Sequence, residues 1–79
     1  MERLIKLIWD FRGPDAEKIA DHHVIHLREF VALEKLPLTL IDKQVLSEVH
    51  SIAYLVVHDE QMRAVRDVLK PHRGELYEQ

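Results

Sequence analysis

The stretch Ser51-Ile52-Ala53-Tyr54-Leu55-Val56-Val57-His58 constrains the fold more than any other part of the chain. β-Branched and aromatic residues run through it, and apolar side chains point to both sides of an extended backbone, so it predicts a strand covered on both faces. A chain of 79 residues has few elements with which to cover it. At that size a single core is only just large enough. With no cysteine, neither disulfides nor a thiolate zinc site can supplement it. Close packing, a histidine or carboxylate metal, or assembly with a second copy has to make up the difference.

The rest of the sequence divides around proline and glycine. Arg3 to Phe11 reads as a strand, with Ile5, Leu7, Trp9 and Phe11 on one side and Leu4, Lys6, Ile8 and Asp10 on the other. Arg12-Gly13-Pro14-Asp15 stops it. From about Asp15 to Leu36 the spacing is helical, with Ala16, Ile19, Ala20, His23, Leu27, Phe30 and Val31 in one stripe, and Pro37 ends the helix. Leu38 to Asp42 reads as a short strand or a packed connection. Gln44 to His50 reads as a second strand, setting Val45, Ser47 and Val49 against Leu46, Glu48 and His50. After the Ser51–His58 strand, Asp59 is placed as the N-cap of a second helix whose stripe is Met62, Val65, Val68 and Leu69. Pro71 closes that helix. Residues 72–79 leave a closing strand, a helical turn and a free end all open.

This order, β-α-β-β-α with an optional last strand, is the split βαβ arrangement of a ferredoxin-like α+β domain with an antiparallel sheet, covering residues 1–79. Its helices lie on one face only, so the other face needs a cover. Two sheets packed face to face in a homodimer would provide it. A net charge of -3 and the lack of a basic block argue against nucleic acid as a partner. The start of the chain is too charged for a secretory signal, and no apolar run approaches the length of a membrane span. The expectation is a soluble cytoplasmic protein with no membrane partner.

Candidate chemistry centres on Asp21-His22-His23-Val24-Ile25-His26-Leu27, because histidine is the side chain most easily tuned to exchange protons near neutral pH. At 100° per residue His23 falls in the middle of the apolar stripe, His26 at its edge and His22 farther toward solvent. His23 reads as a core histidine or a ligand-binding group. His26, between core and solvent, reads as the acid-base residue. His22 and His26 stand four apart, a spacing compatible with a shared zinc, nickel or copper ion if Asp21, His50, His58 or His72 adds a third ligand. No other cofactor is expected. On the strands, Lys6 with Asp10 and Glu48 with His50 read as polar groups of a ligand pocket or as charge pairs at an interface rim. Trp9, Tyr54 and Phe30 read as packing residues. Nucleophilic catalysis is set aside, because Ser47 and Ser51 lack a glycine-rich elbow and there is no thiol.

Asp10 at the end of the first strand, His26-Leu27 followed by Phe30 and Val31, the strand Ser51–Val57, and Lys70-Pro71-His72 followed by Leu76-Tyr77-Glu78 together resemble the YciI-like family of the dimeric α+β barrel superfamily. The resemblance implies two ferredoxin-like sheets packed into a barrel and a small-molecule enzyme that uses the histidine of the His-Leu pair with an aspartate. It implies His26 and Asp10 as that pair, and isomerisation or elimination as the reaction. A non-catalytic ligand- or metal-binding protein and a small dimeric interaction module are the other classes the residues leave open.

Overall fold

The computed structural model describes residues 3–36 and 40–78. β1 (Leu4–Arg12) leads into α1 (Ala16–Glu34), then the β2 (Leu40–Ser47) and β3 (His50–His58) hairpin, α2 (Asp59–Leu69) and β4 (Arg73–Tyr77). The strands form one antiparallel sheet in the order β2-β3-β1-β4. This is the ferredoxin-like β-α-β-β-α-β layout. β1 and β3, the two most apolar strands, take the central positions, where both backbone edges are paired and both faces carry most of the buried surface.

Alternation along these strands separates two environments. Leu7 and Trp9 of β1 join Ala53, Leu55 and Val57 of β3 in a core closed by Val24 and Leu27 of α1 and Val65 of α2. The intervening residues face away from both helices. That second face carries Lys6 and Asp10 from β1, His50 and Tyr54 from β3, and Arg73 from β4, as their registers require. Ile8, Ile52 and Val56 also lie on it and are buried within the single chain. Register sets Tyr54 beside Ile8, and Lys6 lies with its ammonium 4.4 Å from the Tyr54 ring centre. Long polar side chains thus shield a thin apolar layer.

α1 differs in rotation from its expected stripe. Its buried residues are Ala16, Ala20, Val24 and Leu27, so Val24 takes the central place assigned to His23, which is only half-buried, and Ile19 is 46% exposed. Small side chains at 16 and 20 let the helix approach the sheet along that line. Apolar residues also occur elsewhere around the helix, such as exposed Ile25 and Leu33, so the sequence did not single out one phase. The helix ends at Glu34, with Lys35 in the left-handed conformation as its cap, before the predicted end at Leu36. Pro37, Leu38 and Thr39 lie outside the described residues.

α2 shows two further corrections. His58 holds the N-cap position and Asp59 is the first helical residue, its N–H donating to Arg3 O at 2.8 Å. The Asp59 and Glu60 carboxylates therefore sit in the first turn, where they favour the positive end of the helix dipole. Val68 is 64% exposed rather than part of the stripe, and Val65 is the residue α2 buries fully.

The β2–β3 hairpin breaks the expected alternation. A register shift between Val45 and Ser47 inserts a bulge, Glu48-Val49 form the turn, and His50 opens β3 instead of ending β2. Gly13, with φ at 115°, turns the chain after β1 in a conformation that side chains resist, and donates its N–H to Val49 O at 2.8 Å. The tail forms β4, which the sequence had left open among three conformations.

Candidate functional site

Asp10 sits where β3, β1 and β4 come together on the helix-free side. Its Oδ1 lies 2.9 Å from His50 Nε2. Arg73 donates from Nε to Oδ2 at 3.0 Å and from Nη2 to Oδ1 at 3.3 Å, a two-pronged grip on one carboxylate. The Arg73 bonds, joined by the bond to His50, hold the Asp10 carboxyl down at about 2 against the opposing effect of burial. Asp10 in turn raises the Arg73 guanidinium further. The carboxylate is therefore a fixed negative charge at neutral pH. Asp10 and His50 are both about four-fifths shielded, with 18% of each side chain exposed, while Arg73 reaches in from more open surroundings.

The backbone of Asp10 is held as firmly as its side chain. β4 stops pairing at Ile8–Arg73, which leaves the Asp10 N–H at an unpaired edge. His72 Nδ1 accepts that N–H at 2.8 Å, and the His72 N–H donates to Ile8 O at 2.9 Å. His72 thereby extends the ladder by one side chain. Lys70-Pro71-His72, part of the family-like pattern, is thus seated beside Asp10. Its lysine is the left-handed cap of α2.

The other candidate residues distribute differently. Lys6 shares the face of Asp10 and is engaged with Tyr54. Glu48 is exposed in the hairpin turn and does not share a strand face with His50. His23 lies on the helix side, its ring 4.8 Å from Trp9 and 5.5 Å from Phe11. Its Nε2 is buried with no hydrogen-bond partner among the described residues, and burial, with smaller effects from His26 and His72, pushes its pKa below the usual histidine value. His22 and His26 are exposed and stack edge to face with centres 4.7 Å apart. Since α1 packs against Trp9 and the other odd-numbered residues of β1, the sheet lies between His26 and the Asp10 carboxylate.

Asp21, considered as a further ligand beside His22, is drawn toward β2 by Lys43, which bridges Glu17 and Asp21 at 2.7 Å each. Among the described residues no group of three or more histidines and carboxylates is placed to hold a metal ion. No described helix is long and apolar enough to cross a membrane.

Arg73 and His72 were not among the leading site residues from sequence. The available signal was indirect: a closing strand paired with β1 would have brought a cation from the tail to Asp10. Comparison of the chain with family models, curated proteins and solved structures finds no match.

Proposed function

We propose that this chain is a small-molecule enzyme whose His50–Asp10 pair moves a proton on the helix-free face of the sheet, within a sheet-to-sheet homodimer of the YciI-like kind that the sequence resembles. The observation that carries this reading is the Asp10 carboxylate, kept ionised by Arg73 and set 2.9 Å from His50 Nε2. In the tautomer that donates Nε2–H to Asp10, His50 Nδ1 holds the lone pair that accepts a proton from substrate. The imidazolium so formed is stabilised by the carboxylate already beside it. Lys6, on the same face but four residues from Asp10 along β1 and engaged with Tyr54, can meet only a distal anionic group of an extended substrate, not the developing enolate. The matching reaction class is proton abstraction next to a carbonyl, followed by isomerisation or elimination. His50 is assigned as the proton carrier in place of His26, because the sheet separates His26 from Asp10.

Proton abstraction leaves a trace in heavy water even when the full reaction is unknown. The protein is incubated in D₂O with a panel of 2-oxo acids and γ-lactones, and loss of the acidic C–H signal is followed by NMR. Exchange above buffer is expected for at least one compound, with His50→Gln and Asp10→Asn reducing it at least 100-fold and His26→Gln leaving it unchanged. A panel with no exchange above buffer, or exchange that survives His50→Gln, overturns the assignment.

A further inference from the structure

A cavity of about 440 Å³ opens between α2, β4 and the start of β1, on the helix side of the sheet and apart from the Asp10 carboxylate. Its volume lies within the range of small-molecule sites. Ile5, Leu7, Met62 and Leu76 give it an apolar lining. Leu76 remains 50% exposed, an apolar surface facing water. Gly74 keeps the space open: a Cβ there would already stand 3.5 Å from Leu7 Cδ2 and 3.9 Å from Ile5 Cγ2, and a longer side chain would grow into the cavity.

The charges around this lining are of one dominant sign. Arg3 and Arg66 both line the cavity. Arg73 and Glu75 belong to the lining as well, but alternation along β4 turns their side chains toward the opposite face, where Arg73 is committed to Asp10. Asp67 approaches Arg66 at 3.4 Å with both side chains half-exposed or more, a weak and water-screened pairing. Two guanidiniums against that one carboxylate leave a single positive charge beside an apolar hollow. This combination recognises an amphipathic monoanion, because a guanidinium fork fits a carboxylate and the hollow takes the apolar body.

We propose that the cavity binds a small amphipathic carboxylate, with its aliphatic or aromatic body over Leu7 and Met62 and its carboxylate held by Arg3 and Arg66. The site does not include the His50–Asp10 pair, although His72 and Arg73, which hold Asp10, also line it. It lies on the helix side, so a partner on the helix-free face would not cover it.

Titration of the full chain with hexanoate, followed by ¹H–¹⁵N NMR, tests this directly. Saturable shifts are expected at Ile5, Leu7, Gly74 and Leu76, and the double variant Arg3→Gln/Arg66→Gln should weaken binding at least tenfold with the rest of the spectrum retained. Hexan-1-ol and hexylamine should each bind at least tenfold more weakly than hexanoate. Met62→Trp fills the cavity and should abolish the shifts. Equal binding of hexan-1-ol, tighter binding of hexyl phosphate, or unchanged affinity in the double arginine variant would overturn the proposal.

Discussion

The two faces of the sheet are built from the same strands and bury their apolar residues by different means. On one side Leu7, Leu55 and Val57 are closed in by α1 and α2, elements brought from elsewhere in the chain. On the other, Ile8, Ile52 and Val56 are as fully hidden, yet the groups lying over them include the strands' own long side chains, Lys6 and Tyr54 among them. The first arrangement is a packed core in which ionisable groups are costly. The second keeps an apolar layer only one side chain deep and holds Asp10, His50 and Arg73 at its surface, within reach of a ligand. Ionisable groups can be fixed rigidly there without being placed in the core.

Neighbouring valines make the difference measurable. Val57 and Val56 are both 0% exposed and point to opposite faces of β3. Val57→Ala is expected to cost about 2–3 kcal/mol in urea unfolding, at every protein concentration, since the helices cannot fully collapse onto the gap. Val56→Ala should cost about 1 kcal/mol at low concentration, because the side chains over it can settle into the space. If a second copy covers this face, that cost grows as protein concentration rises. Equal and concentration-independent losses would remove the distinction between the faces and count against a sheet-to-sheet dimer.

Acid should act on both faces, over different pH windows. Asp10 has its carboxyl lowered from 3.8 to about 2 in the folded chain, so its contribution is fully present above about pH 4 and is lost as pH falls through about 2. With water screening at this open face the effect is on the order of 1 kcal/mol. Asp10→Asn should flatten that part of the stability curve, and an unchanged acid limb would show that the Arg73 grip does not stabilise the fold.

His23 provides the corresponding probe on the helix side. Its folded pKa lies below the ordinary 6.5, so the stability gained by the neutral ring is present above pH 6.5 and is lost as pH falls through the lower, folded value. His23→Leu removes both this titration and the unpaired Nε2, and should raise stability by up to about 1 kcal/mol, most clearly on the acid side. Thermal midpoints at about pH 5 and pH 7 check it. A midpoint that still falls between those values as in the parent chain would place the titration elsewhere.

The parts of this architecture that were legible are those where alternation runs unbroken. β1 and β3 declare their two faces residue by residue, and Asp10 was visible as an ionisable group on the mixed side. β2 was harder, because the bulge between Val45 and Ser47 resets the parity and sends Glu48 into a turn while His50 passes to β3. In α1 the spread of Ile19, Ile25 and Leu33 around the helix blurred the phase, so Val24 rather than His23 lies deepest. His72 and Arg73 depended on a short edge strand whose pairing with β1 is a tertiary event. Residues 72–79 carried no local signal strong enough to select it.

The sheet order has a further consequence for how the chain reaches this state. β1 is completed only by partners far along the sequence, and the Arg73–Asp10 bonds span 63 residues. Loops of that length close late and slow the search for the native pairing. Until β4 pairs, Asp10 has neither the Arg73 guanidinium at its carboxylate nor the His72 ring at its backbone N–H, so a chain lacking that pairing carries the residues without their arrangement.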